Sequence, residues 1–551
     1  MKYKFSLTDM EQVERLRIDT HEYEGKVAVH SIVIRQKGYS PIRLSTAADF
    51  KGLQLGDQIR KKWIKNDIFH IVSSGDDPAL IFFPQLEKAD YNYGREAAIL
   101  LALLSFSLLC YYTLGFLATD FLFVPVFLSV VLVLVATMAF VSRGNVHPDE
   151  YVHAGAAQYY KSNWLPPHIL SEEISCTYSP YGVSRLNADE IYYLVAGKVA
   201  FLTEPFFHDK YKNERMFGVI TLFFLVLYTL KSVPARVVAL PLLLSPQIWY
   251  LFSYCNSGFF ALTLAFVAGC QVVRKESMLN RYLFTRDEQT PLWYGLVCGL
   301  GFGLLLLLKH NYLAFTLFTL LCYLIFFFSR VGCENRKRYV MRVLLICCMG
   351  LVVYGSKKVA DYTVNGFERE ALLEKAQATC SDNKHDYDGV PIEQQVFTLH
   401  MKERGVSLKD MVNVYHWGTK TFKSSFGLYG YFKIDAHTSY YKAFKWSIIA
   451  FLCYVVGVIV VFGSMDVRLI CSGAIVLAVL LTASSLYHSW VGDFQPQGRY
   501  LFPVIGMAGA VFGLIRHHLS ERWVGVFSLW LFLLSTYSFI FIALQHIPRS
   551  V

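Results

Sequence analysis

From residue 97 onward the sequence repeats one pattern: an apolar run near the ~20 residues a helix needs to cross a bilayer, a polar break, then another run. The runs are 97–117, 121–141, 216–230, 237–254, 259–273, 292–308, 312–328, 343–354, 446–462, 469–486, 500–515 and 523–544. A thirteenth, Ile191–Leu202, is interrupted by Lys198 and rich in tyrosine, so it reads as a helix lying along the membrane interface. With no water in the bilayer core, backbone amides must pair within each segment, and helices do this. The expectation is a mainly α, polytopic transmembrane bundle of about 11–13 helices. Only 17% of residues are charged, below the roughly 25% of soluble domains.

Two compartments follow. Residues 1–95 are polar, with short β-rich runs (Val27–Ile34, Ile68–Val72, Leu80–Phe83) separated by turn formers such as Ser73-Ser74-Gly75-Asp76-Asp77-Pro78. A small, soluble, mostly-β domain is expected there, suited to recognition or assembly rather than chemistry. Residues 96–545 form the membrane domain. The net charge of +10 is carried in short loops between runs: Lys231 and Arg236; Arg274, Lys275, Arg281 and Arg286; Arg330, Arg336, Lys337, Arg338 and Arg342; Arg516 and Arg522. These fall on one side, which the positive-inside rule makes cytoplasmic, and no nucleic acid partner is needed to explain the charge. The other face then carries two large loops, 142–215 and 355–445, and a smaller one, 487–499. Counting back places the N-terminal domain on that face too, unless 97–117 or 121–141 fails to span, so its side stays open. Most of the 12 cysteines sit inside apolar runs; Cys176 and Cys380 lie in outer loops, where pairing is open.

The outer loops hold the chemistry-bearing residues. Val146–Pro167 begins V-H-P-D-E-Y-V-H. Pro148 suits the first position of a helix, which would put Asp149 and Glu150 in its first turn and His153 on the face of Asp149. A helix N-terminus keeps carboxylates ionised, as a general base or a cation ligand requires; plain helix stabilisation is the alternative. Lys309 and His310 end an apolar run at the same boundary, placed for a phosphate or for snorkelling to headgroups. In the second large loop, Lys420 belongs to T-K-T-F-K-S-S-F-G-L-Y-G-Y, whose glycines among aromatics imply a tight, non-helical path. The last cluster is Q-P-Q-G-R-Y-L-F-P, with Gln497, Arg499 and Tyr500 between two prolines. An arginine fork there suits bidentate phosphate binding.

Four segments together resemble a bacterial family of large polytopic membrane proteins similar to the glycosyltransferase C (GT-C) superfamily: P-D-E-x-x-H, S-P-Q-I-W-Y-L-F-S-Y-C-N (Ser245–Asn256), S-S-F-G-L-Y-G and Q-G-R-Y-L-F-P. The resemblance covers roughly residues 97–545. It implies a bacterial plasma-membrane enzyme that transfers a sugar from a polyprenyl-phosphate donor to a cell-envelope glycan or glycolipid acceptor, such as O-antigen, on the extracytoplasmic side. It assigns the base, or the ligands of a divalent cation (Mg or Mn) if one is used, to Asp149 and Glu150. It assigns donor-phosphate contact to Arg499; on the reading of the residues themselves, His153, Lys309, His310, Lys420, Gln497 and Tyr500 are substrate-binding candidates, with His153 also able to orient Asp149. Where members often carry an acidic residue after the S-P segment, this chain has Asn256-Ser257-Gly258. The competing readings are en bloc oligosaccharide transfer or polymerisation, and a glycolipid transporter whose intramembrane charges mark a pathway.

Overall fold

The computed structural model describes residues 15–21, 24–34, 40–75, 77–85, 87, 93–113, 115–285, 290–382, 385 and 390–550. Asp76 of the turn-rich stretch and Arg286 of the basic loops fall outside these. The chain divides into two compact units, Met1–Phe106 and Ser107–Val551, with the boundary inside the helix Tyr93–Thr113.

The first unit is a small β region, as its short alternating runs predict. Ile68–Ser73 buries every second side chain and pairs antiparallel with Lys26–Val29 on one side and Ile59–Lys65 on the other. Leu16–Asp19 and Gln54–Leu55 flank Ala79–Phe82. The run Val27–Ile34 is divided: Ile32–Ile34 pairs instead with Ile42–Leu44. A one-turn helix, Ala47–Lys51, opens on a capping box from Thr46 and Asp49. It sets Phe50 against the Phe69 ring in a core with Leu44, Leu53, Ile71 and Leu80.

The second unit is a helical bundle. Among the described residues, eight helices are long and apolar enough to cross a membrane, or ten if each of two bent pairs is one span. The eight are Thr119–Val141, Lys210–Lys231, His310–Arg330, Cys333–Asn365, Thr438–Phe462, Met465–Val491, Gly498–His518 and Glu521–Leu544. Among the described residues that is eight to ten where eleven to thirteen were expected, and local features account for part of the difference. Leu101–Thr113 and Leu292–Leu306 are short of a span, and the run 237–254 is broken. Pro246 cannot continue a helix that precedes it. The chain therefore turns by 102° between Val233–Leu243 and Pro246–Phe252. The second piece is wholly inside protein, with Ile248, Trp249, Tyr250 and Phe252 buried and Trp249 Nε1 donating to the Leu242 carbonyl. Irregular backbone at membrane depth is tolerated only in such a place.

Half or more of the apolar window of Thr119–Val141 (50%) and Gly498–His518 (61%) is buried, but only 6% of that of Met465–Val491. The first two form the interior; the last presents nearly its whole apolar surface outward, as does the rim that includes Val133, Phe224, Leu324, Leu351 and Val460. An apolar rim of this extent fits a lipid environment and no aqueous one. Ile191–Leu202, read as interfacial, forms the helix Tyr192–Thr203, with Tyr192, Tyr193, Ala196, Gly197 and Ala200 packed inside. Both Cys176 and Cys380 are free thiols.

The two long connections and the short one that follows Val491 meet at one end of this bundle. Tyr181 donates to Asp493 at 2.9 Å, the His400 amide to the Gly492 carbonyl at 2.8 Å, and the Ile169 amide to Asn365 at 2.9 Å. That end carries the site.

Candidate functional site

The acidic stretch does not start its helix as the sequence suggests. Pro148 and Asp149 form a turn closed by the Glu150 amide on the His147 carbonyl (3.3 Å), and the helix is Glu150–Ser162. Asp149 is its N-cap in the left-handed region (φ 57°), with no capping bond from its side chain. Proline before a positive-φ residue is the pattern of a type II turn, and Asp is one of the few non-glycine residues that tolerates it. The cause is the pull on either side of the turn. His147 is buried between Ser142 Oγ (2.9 Å from Nε2) and the Tyr250 hydroxyl (2.7 Å from Nδ1). Glu150 is drawn inward by Arg215, with Nε to Oε1 at 2.7 Å and Nη2 to Oε2 at 2.8 Å, both side chains fully excluded from solvent. Arg215 also donates to the carbonyls of Ala139, Ser142 and Arg143.

Glu150 is thereby a structural anchor with both oxygens engaged. Burial works to raise its carboxyl above the ordinary value, and the Arg215 fork opposes that. Asp149 points the other way, 43% exposed, with Oδ2 at 3.4 Å from Arg499 Nη2. Two adjacent carboxylates have been given two roles by one turn.

Arg499 is positioned by the Q-P-Q-G-R-Y stretch. The Gly498 amide donates to Ser424 Oγ (2.8 Å), and Ser424 Oγ donates to the Pro496 carbonyl (3.0 Å). A Cβ on Gly498 would lie 1.9 Å from Ser425 Oγ and 2.5 Å from its amide nitrogen, so only glycine lets the two loops touch here. Gly498→Ala should cost about 1–3 kcal/mol in overpacking and push Arg499 out of line with Asp149. The thermal stability of the purified variant would fall; a wild-type melting temperature would remove the role given to this contact.

Lys309 closes the third side. It precedes the single turn His310–Tyr312, and Asn311 ties that turn to the Arg499 segment by donating to the Tyr500 carbonyl at 2.8 Å. Burial pushes the Lys309 amine down to about 8; Glu190 and Asp149 act to raise it, Arg499 and Arg185 to lower it further. One half-buried lysine thus feels two carboxylates and two guanidiniums. His153 lies deeper, fully buried, its Nδ1 at 2.7 Å from the Tyr193 hydroxyl and its ring stacked on Tyr193. Burial, with Arg185, Lys309 and Arg499 nearby, holds its pKa well below the ordinary value, so the imidazole is neutral. Tyr254 and Tyr431 flank Asp149, and burial pushes both phenols up to about 12, keeping them protonated.

The structure therefore brings Asp149, His153, Lys309 and Arg499 together. Tyr500 stacks loosely under Arg499 and donates to Gln495, while Gln497 has a buried Oε1 with no partner among the described residues. His310 is exposed; Lys420 lies in the helix Trp417–Ser425, where a non-helical path was expected, over the Phe494 ring at 5.3 Å and without a contact to Asp149 or Arg499 among the described residues. Sequence reasoning missed Arg185, Glu190 and Arg215. Arg185 and Glu190 sit in the polar stretch before Tyr192 with no spacing signal; Arg215 looks like the cation that ends a loop. Asn256, standing where an acidic residue was sought, donates to the Leu251 and Tyr254 carbonyls and accepts from the Gly258 amide. A carboxylate could make only the last of these bonds.

The donor set does not fit a divalent cation. Glu150 is consumed by Arg215, Asp149 faces Arg499, and a cation beside them would meet Lys309 and Arg185 as well. Among the described residues no three His, Cys, Asp or Glu side chains converge as metal ligands. What the arrangement offers is one accessible carboxylate opposite several cations. Comparison with protein families, with characterised proteins and with solved structures finds no match for this chain.

Proposed function

We propose that this protein is a membrane glycosyltransferase that moves a sugar from a polyprenyl-phosphate donor to a cell-envelope glycan acceptor, with the basic loops cytoplasmic and the site on the extracytoplasmic face of a bacterial plasma membrane. The observation that carries the reading is the pairing of one accessible carboxylate, Asp149, with cations drawn from three separate elements, Arg499, Lys309 and Arg185, at the end of an apolar bundle. Asp149 takes the proton from the acceptor hydroxyl. The hydroxyl oxygen forms the new bond to the anomeric carbon from the face opposite the departing phosphate, inverting configuration. The bond from that carbon to the phosphate oxygen breaks with its electron pair, and Arg499, Lys309 and Arg185 meet the charge that develops. The apolar rim holds the polyprenyl tail.

The first test is turnover of radiolabelled polyprenyl-phosphate hexoses by purified protein; absence of transfer with every donor would sink the reading. A pH dependence follows from Lys309. Its amine is charged below about 8 and neutral above, so phosphate affinity should begin to fall as the pH rises past about 8. Lys309→Arg, which stays charged throughout, should flatten that fall. An identical profile for wild type and variant in a titrated polyprenyl-phosphate binding assay would take Lys309 out of the phosphate contact.

A further inference from the structure

Arg499 is held lightly at its charged end. It meets Asp149 at 3.4 Å, and its guanidinium carbon lies 5.8 Å from the centre of the Tyr500 ring. What fixes that ring is a run of side-chain hydrogen bonds. The Tyr500 hydroxyl donates to Gln495 Oε1, and Gln497 Nε2 donates to the same oxygen at 3.4 Å. At the other end of the amide, Gln495 Nε2 donates to Asp493 Oδ2 at 2.5 Å. The Tyr181 hydroxyl, from the first long connection, donates to that carboxylate oxygen as well, at 2.9 Å. Asp493 is 6% exposed, in the connection that follows Met465–Val491. Its backbone is pinned on either side, by the His400 amide on the Gly492 carbonyl (2.8 Å) and the Phe494 amide on the Thr398 carbonyl (2.8 Å). A rigidly placed, buried carboxylate thus begins a chain that ends under Arg499.

The identity of the first link sets the direction of all the others. A glutamine amide can face either way, with an acceptor at one end and donors at the other, whereas a carboxylate only accepts. Opposite Asp493, Gln495 turns its NH2 group to the carboxylate and is left with its oxygen toward Tyr500. That oxygen takes the Tyr500 hydroxyl proton and one N–H of Gln497. Reversed, the Gln495 amide would set a carbonyl oxygen against the Asp493 carboxylate and its NH2 group against the NH2 group of Gln497. Two of the three bonds would be lost together, so one orientation holds. A phenol that must donate to a fixed oxygen has its ring fixed too, within the distance at which a guanidinium is attracted to an aromatic face.

We infer that Asp493 is a positioning residue for the donor-phosphate contact: as an acceptor-only group it orients the Gln495 amide, and through it holds the Tyr500 ring beneath Arg499. The inference rests on the proposed function. It gives Asp493 no contact with the substrate, and it leaves proton removal to Asp149 and phosphate contact to Arg499.

The experiment is a double-mutant cycle on the affinity for bare polyprenyl phosphate, with the melting temperature of each preparation measured beside it. Gln495→Glu sets two acceptors face to face and should weaken binding roughly tenfold. Adding Asp493→Asn to it supplies an NH2 donor opposite the new carboxylate, which still presents an acceptor to Tyr500, and binding should return to within about threefold of wild type. Asp493→Asn alone should not tighten binding. If the negative charge near the phosphate were all that mattered, Asp493→Asn alone would tighten it by the same factor by which it rescues Gln495→Glu; that additive outcome, or no rescue, would overturn the inference. Should Gln495→Glu fail to fold, the chain can be cut at its two ends instead. Asp493→Ala and Tyr500→Phe should each weaken binding, and together no more than the stronger of them alone. Additive losses in that pair, or unchanged affinity with a lowered melting temperature, would show that Asp493 only ties the connections together, with the transferase still standing. No binding of polyprenyl phosphate and no transfer from any donor by wild type would take down both.

Discussion

Asp149→Asn is expected to lower sugar transfer by about two to four orders of magnitude, the range of a lost general base, while the protein folds as before. Asparagine is isosteric and adopts the left-handed conformation at least as readily as aspartate, so the turn at φ 57° survives the change. Its amide cannot take a proton from a hydroxyl. The contact with Arg499 is a single long one at 3.4 Å on a part-exposed side chain, and its loss should move stability little. The decisive comparison is kcat beside thermal stability of the same preparation. Normal turnover with normal stability would remove Asp149 as the base; lost turnover with lost folding would move its role into the scaffold. Asp149→Ala should be the poorer probe, since alanine adds the strain of a positive φ to the loss of charge.

Breaking the Glu150–Arg215 pair should have the largest effect on stability. Both side chains are excluded from solvent, and removing one partner strands the other as a buried charge, at a cost of about 3–5 kcal/mol. The two ends are unequal. Arg215→Met leaves the Glu150 carboxylate unpaired and also frees the carbonyls of Ala139, Ser142 and Arg143. Glu150→Gln keeps an acceptor for the guanidinium and leaves those carbonyls bonded. Arg215→Met should therefore unfold at the lower temperature, and the residual activity of Glu150→Gln should fall because Asp149 is no longer held in its turn. Fluorescence-detected size exclusion after heating would rank them; the reverse order, or wild-type melting for both, would show that the pair is not the anchor of the acidic turn. The same ranking bears on catalysis, because the acidic neighbour of Asp149 is then a positioning residue.

Much of the architecture was legible because the physics of a bilayer is one-dimensional along the chain. Each of the twelve runs marked in the sequence coincides with an apolar helix or a bent pair. What changed was their length and path, since a proline between two apolar stretches ends a helix without leaving a mark in hydrophobicity. Pro246 is the instance: the segment Pro246–Phe252 reads as the second half of a span and instead turns by 102° into the protein. In the N-terminal unit the alternation in Ile68–Ser73 was readable, while the exchange of partners within Val27–Ile34 was not, because strand pairing is a choice between distant segments.

The site divides along the same line. Sequence alone picked out Asp149, His153, Lys309 and Arg499, since charged residues at the ends of apolar runs are costly and therefore conspicuous. It could not tell Asp149 from Glu150. Their sequence positions differ by one, and only the burial of Arg215, 65 residues away, sends one carboxylate inward and leaves the other facing Arg499 from 350 residues away. Nor could it find Glu190, which the bond from the Ile191 amide to the Leu307 carbonyl sets beside the Lys309 turn. The apolar pattern determined that this chain is mainly helical, with several helices long and apolar enough to cross a membrane. The assignment of a role to each charge waited on tertiary structure, because a charge acquires its role from the partner it is buried with, and that partner comes from elsewhere in the chain.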